Sequence, residues 1–296
     1  NHGNMLSTKY AYTGNRELLT EAIAYARKAV TIKSKKPNEI VGRRNNLATK
    51  LSEFHIATGN LEALSEAIEI GSDVVRSSRR NIQYRLNLAN SFLLYYEATG
   101  SINYLEKSVE EVQVAMKELE MEISGPPRYT TSPIQDEINQ ASYFDAAANV
   151  LISYYQRTRE IDTLKRALDY ANKSRNLPLG HPRIPIHLNN LSRCQAELFL
   201  ATSNKDYLRQ AIENGRRAVA QTPDISPDKS LYLANLANSL YHLYEFEKSR
   251  EILLEAIQVA EKSLDLTPDD TPAMAGRKGN LANMYETLAE WDENNE

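Results

Sequence analysis

The apolar positions of the chain recur with a helical period. After each of six marker residues (Gly14, Gly59, Gly100, Arg159, Ser203 and Lys248) apolar or small residues fall at offsets 5, 8, 9, 12, 15 and 16. Offset 5 is Leu every time: Leu19, Leu64, Leu105, Leu164, Leu208 and Leu253. Offset 8 holds Ala22, Ala67, Ser108, Ala167, Ala211 and Ala256, and offset 15 holds Ala29, Val74, Ala115, Ser174, Ala218 and Ser263. These offsets trace one face of an α-helix. The small residues at 8 and 15 allow a neighbouring backbone to come close. No β-branched alternation predicts a strand.

The markers are 45, 41, 59, 44 and 45 residues apart, and a further step of 45 reaches Glu293. Each interval predicts two antiparallel helices, A before the marker and B after it. Gly14, Gly59 and Gly100 follow Thr13, Thr58 and Thr99 and suit a left-handed turn closing helix A. Polar or Pro-containing connectors lead from B to the next A at Lys36-Pro37, Leu177-Pro178, Thr222-Pro223 and Thr267-Pro268. The last two continue into Asp224 and Asp269, a helix stop followed by a capping residue. The long step holds an insertion near 124–135, expected as an exposed loop between two helices.

A helix pair with one apolar face buries it only against another pair. The expected fold is all-α: an α-α superhelix of about six helix pairs plus a seventh A helix, forming one solenoid domain over residues 1–296. A chain that starts with Asn1 inside an A helix and ends just after another reads as a piece of a larger multidomain protein.

Small residues at offsets 8 and 15, with Pro223 and Pro268 at offset 20, resemble the tetratricopeptide repeat over nearly the whole chain. The 41–45-residue period exceeds the usual one of about 34. With Asn-Leu-Ala in helix A and Thr-Gly, Leu and Ala-Ile after it, the chain is similar to kinesin-light-chain-type repeats. It is more similar to the arrays that accompany CHAT-protease or NACHT/NB-ARC modules. The resemblance implies a right-handed superhelix whose A helices line a concave, protein- or peptide-binding groove.

Helix A has columns of its own. Thirteen before the markers stand Asn1, Asn46, Asn87, Ala146, Asn190, Asn235 and Asn280; ten before stand Asn4, Thr49, Asn90, Asn149, Arg193, Asn238 and Asn283. Eleven of these fourteen are Asn, a mediocre helix former, so the columns need a reason. On the helical wheel Asn87 and Asn90 point away from the apolar set Leu88, Ala89, Phe92, Leu93 and Tyr96. Sixteen before the markers stand Arg43, Tyr84, Tyr143, His187, Tyr232 and Arg277. Taken with the resemblance, these columns place an Asn ladder in the groove, edged by Tyr, His and Arg. A carboxamide both donates and accepts, so a ladder of them suits a peptide's N–H and C=O groups. Tyr and Arg add apolar area and carboxylate recognition. The competing reading is that the Asn side chains bridge adjacent A helices.

Charge and chemistry narrow the function. The 296 residues carry 35 basic and 39 acidic groups, a net charge of −4 that argues against a nucleic-acid binder. The first hundred residues run the other way, with 14 basic and 9 acidic groups. Their basic clusters lie at Lys33, Lys35 and Lys36, at Arg43 and Arg44, and at Arg76, Arg79, Arg80 and Arg85; such asymmetry suits solvated loop tips or the steering of a charged partner. No run reaches the roughly 18 apolar residues of a membrane span. The single Cys194 points to a reducing, cytoplasmic setting. No two of His2, His55, His181, His187 and His242 are four apart, so no metal site is expected. His187 and Cys194 share a helix but stand about 10 Å apart along its axis, too far for a nucleophile–base pair. Phosphate-loop, dinucleotide and nucleophile-elbow motifs are missing, so neither cofactor nor enzymatic activity is expected. The expected function is a binding scaffold or sensor. Alternatives are a substrate-recognition or regulatory arm for a CHAT-type protease or NTPase module outside this chain, and a self-assembly module.

Overall fold

The computed structural model describes residues 2–78, 80–125, 132–174, 177, 180–268 and 271–295. Among them are thirteen α-helices and no strand: α1 (His2–Thr13), α2 (Glu17–Thr31), α3 (Pro37–Thr58), α4 (Leu61–Ser77), α5 (Ile82–Thr99), α6 (Ile102–Ser124), α7 (Pro133–Thr158), α8 (Ile161–Lys173), α9 (Ile184–Thr202), α10 (Lys205–Ala220), α11 (Asp228–Glu247), α12 (Arg250–Asp265) and α13 (Pro272–Asn295). Odd-numbered helices are the A helices and even-numbered ones the B helices. The all-α array of six pairs plus one A helix is therefore present. The pairs gather into two compact units, residues 1–176 with α1–α8 and residues 177–296 with α9–α13. No helix among the described residues is long and apolar enough to cross a membrane.

The B-helix columns form the core of each unit. The six Leu residues at offset 5 are at most 1% exposed, and every offset-8 residue is at 0%. Ser108, the one polar member of that column, donates to the carbonyl of Ala89 on α5 at 2.6 Å, which removes the cost of burying a hydroxyl. At offset 12, a Cβ on Gly71 or Gly215 would stand 3.2 Å from Leu88 or Leu236 of the following A helix. Small side chains are what let the next pair dock.

The A-to-B turns are built alike. Gly14, Gly59 and Gly100 have φ of 65°, 72° and 72°, the left-handed turn expected of them. Arg159, Ser203 and Lys248 take the same conformation at 60°, 56° and 52°. The Thr before each turn, where present, acts as a clip. Thr58 Oγ1 donates to the Phe54 carbonyl at 2.7 Å and accepts the Asn60 N–H at 3.3 Å; Thr13, Thr99, Thr158 and Thr202 repeat this.

The structure departs from the sequence expectation in two places. The long step also lengthens the helices beside the expected loop: α6 has 23 residues against 13–17 in the other B helices. Likewise α7 has 26, against 18–24 in α3, α5, α9, α11 and α13. Residues 126–131 of the expected loop lie outside the described residues. The helix stop at Thr222-Pro223 holds, but Asp224 does not cap α11, whose N-cap position is Pro227. The Asp224 carboxylate instead meets Lys229 Nζ at 2.6 Å, and this ammonium holds its pKa below the usual carboxylate value. Asp269, the second expected cap, lies outside the described residues, as does Pro178.

Candidate functional site

The Asn columns separate into three groups. In the first, amides join neighbouring A helices. Asn87 Nδ2 donates to Asn45 Oδ1 at 3.1 Å, from α5 to α3, while its own Oδ1 accepts from Gln83 at 2.8 Å. Asn235 donates to Asn189 at 2.8 Å, from α11 to α9, and Asn280 to Asn238 at 3.2 Å, from α13 to α11. The same seam carries Ser52 against Ser91 at 3.0 Å and Lys50 Nζ donating to Ser7 Oγ at 3.0 Å. Burial pushes the Lys50 ammonium below its usual pKa.

The second group is engaged or covered. Asn149 is half-buried and Asn190 is only 4% exposed, and both have polar partners. The third group comprises Asn4, Asn46, Asn90 and Asn283, and Asn1 lies outside the described residues. Asn46 and Asn90 are half-buried on α3 and α5 and Asn283 is exposed on α13. Asn4 is exposed on α1, and none of the four carboxamides has a side-chain hydrogen bond among the described residues.

The column of Tyr, His and Arg is half-buried or engaged within the array at most positions. The Arg43 guanidinium donates to the carbonyls of Ile32 at 2.7 Å and Ala29 at 3.4 Å, at the C-terminal end of α2. A cation satisfies the orphan carbonyls there and complements the helix dipole, an effect of about 0.3–1 kcal/mol. Arg277 donates to Thr267 Oγ1, just past α12, and its burial lowers its pKa. Lys229 acts in the same way, donating to the Thr222 carbonyl at 2.6 Å beyond α10. Tyr84 is half-buried with its hydroxyl close to Gly42 of α3. Tyr143 is half-buried, and burial first, then Glu122 and Asp136, raises its phenol pKa. His187 and Tyr232 are 5% and 4% exposed. Arg43 and Arg277 thus tie A helices to the end of the preceding B helix, and His187 and Tyr232 lie below the surface.

The acceptors Asn45 and Asn189 were missed as partners. Their signal was present in the doublets Asn45-Asn46 and Asn189-Asn190, which put a carboxamide on two adjacent directions of one helix. Cys194 is fully buried, and burial pushes its thiol up to about 12, so it packs as a small apolar group. Among the described residues no group of three or more His, Cys, Asp or Glu is arranged to hold a metal ion.

With this geometry the fold has a class: an all-α array of antiparallel helix pairs. Residues 231–272, from within α11 through α12 to the first residue of α13, match the tetratricopeptide repeat model. Among solved structures, Acl4, the assembly chaperone of RpL4 (residues 1–338), aligns over 99% of this chain and 99% of its own at 14% identity, with a TM-score of 0.52. That likeness is one of fold. YrrB, a TPR protein with an unusual peptide-binding site, aligns over 90% of this chain and 100% of its own at 14% identity and a TM-score of 0.41. The TPR2AB domain of yeast Sti1, in complex with pHSP90, aligns over 97% and 96% at 15% identity and a TM-score of 0.35. At those two scores neither bears on this chain's ligand. No curated protein matches the chain.

Proposed function

We propose that the chain is a protein-interaction scaffold that holds an extended peptide against the exposed side of its A helices. The observation that carries this reading is the uncommitted set: Asn4, Asn46 and Asn90 in the first unit and Asn283 in the second present carboxamides with no side-chain partner. A peptide backbone offers N–H and C=O groups in alternation, and a free carboxamide answers both. The bridging amides Asn87, Asn235 and Asn280 have a different role, fixing one A helix against the next within each unit.

The test separates the two roles. Peptides selected by the wild-type chain from a random display library should lose affinity for an Asn46→Ala, Asn90→Ala, Asn283→Ala variant whose melting temperature is unchanged. An Asn87→Ala, Asn235→Ala, Asn280→Ala variant should melt earlier, because each change removes a hydrogen bond between helices. Selected peptides that bind the first variant as tightly as wild type would overturn the reading.

A further inference from the structure

The first unit has a second surface, unrelated to the A-helix face. The connector from α2 to α3 and the connector from α4 to α5 lie side by side. The first turn of α3, the end of α4, the α4–α5 connector and the start of α5 border an open cleft of about 480 Å³ lined by Asn38, Ser77, Ser78, Arg80, Asn81 and Tyr84. Its lining is polar and rich in donors. Two helices begin at its margin: α3 behind Lys36, which gives no side-chain cap, and α5 behind Asn81, whose side chain accepts the Tyr84 N–H. Their free N–H groups add to a positive potential that side chains dominate.

The described residues of segments 33–44 and 73–81 hold seven cations and two carboxylates. Both carboxylates are already taken. Glu39 faces Lys36 at 3.6 Å and Arg43 at 3.5 Å, and accepts from Ser34 at 2.7 Å. Asp73 accepts from Arg44 at 2.7 Å and from Arg76, and these two hold its pKa below the usual value. Lys33, Lys35 and Arg80 remain exposed with no ion pair among the described residues. An edge so charged, beside a donor-lined cleft, is matched to an anionic partner.

The neighbouring connector sets the size of that partner. From Lys117 to Glu137 the sequence carries five carboxylates, Glu118, Glu120, Glu122, Asp136 and Glu137, against two cations, Lys117 and Arg128, and of the five Glu118 pairs with Arg85 at 3.5 Å. A long polyanion such as nucleic acid would meet this acidic stretch one pair further along. A short carboxylate-rich segment ends before it. We propose that the edge formed by Lys33–Asn38 with Arg76, Ser77, Ser78, Arg80, Asn81 and Tyr84 binds an acidic segment of a partner protein, with Arg80 and the cleft donors holding one carboxylate and Lys33 and Lys35 flanking it.

Fluorescence anisotropy on the full chain tests this with three labelled probes: a peptide of about ten consecutive Glu, its Gln counterpart, and a single-stranded oligonucleotide of equal length. The Glu peptide should bind at least about tenfold tighter than the Gln peptide and weaken as salt is raised. The K33E/K35E/R80E variant should lose at least about tenfold in affinity, and K33Q/K35Q/R80Q should fall between it and wild type. Reversal of the cations Lys205 and Arg209 in the second unit should change nothing, nor should the Asn46, Asn90, Asn283 triple variant, so this surface and the A-helix face fail independently. The proposal is overturned if the Glu peptide does not bind, if Glu and Gln peptides bind alike, if the oligonucleotide binds more tightly, or if the neutralised variant binds like wild type.

Discussion

The first three A-to-B turns and the last three adopt one geometry with different residues. Gly14, Gly59 and Gly100 close the earlier turns; Arg159, Ser203 and Lys248 close the later ones. In all six, the turn residue's N–H donates to the carbonyl four residues back at 2.7–2.8 Å. An L-residue in the left-handed region costs roughly 1–2 kcal/mol, and glycine avoids that cost. The later turns keep the conformation despite it. Helix packing on either side, rather than the turn residue, therefore dictates the turn. Two of the later turns also recover something locally: the Arg159 guanidinium lies 5.7 Å from the Tyr155 ring and Lys248 Nζ 5.4 Å from the Tyr244 ring.

The largest test of this comparison removes packing beside one turn of each kind. Leu64→Ala next to Gly59 and Leu164→Ala next to Arg159 should each cost about 2–5 kcal/mol in urea unfolding, because both side chains are fully buried. A much smaller loss at Leu164 would mean that the later turns are not held by packing. Next, Gly59→Ala or Gly100→Ala should cost about 1–2 kcal/mol, since the backbone must keep a positive φ with a Cβ added. Third, Thr202→Val removes a hydroxyl that donates at 2.6 Å and accepts at 3.3 Å, for a loss of about 1 kcal/mol by thermal melting. The Lys248 turn, preceded by Glu247, lacks this clip and gives the natural baseline. The smallest effect has the opposite sign. Ser203→Gly should stabilise by up to about 1 kcal/mol, and Lys248→Gly by less, because it gives up the contact with Tyr244.

The repeat was legible because its cause is local. A side chain at offset 5, 8 or 15 lands on the buried face wherever the helix goes, so Leu253 and Ala256 could be placed without knowing the neighbour. The Asn columns were legible only as directions. Whether Asn87 meets water, a peptide or Asn45 depends on how two A helices cross, and no single-helix wheel contains that angle. The partners of the Arg43 column were hidden for a related reason. Its wheel position adjoins the Asn column, yet an arginine reaches far enough to find the carbonyl end of α2. A cation one or two turns into helix A, after a B helix with bare carbonyls, was the available signal. Asp224 shows the limit of motif reading: Pro227 lies between it and α11, and Lys229 is the stronger attraction.

The lengthened α6 and α7 have a consequence for how such a chain changes over time. Their added turns flank the α6–α7 connector, while Leu105 of α6 and Leu151 of α7 stay buried. At 1.5 Å per residue, α7 outreaches α5 by roughly 12 Å. Growth by whole turns at that tip leaves every docking contact below it untouched, so this is where new sequence can be spliced in, by descent or by an engineer, at the least cost to the rest.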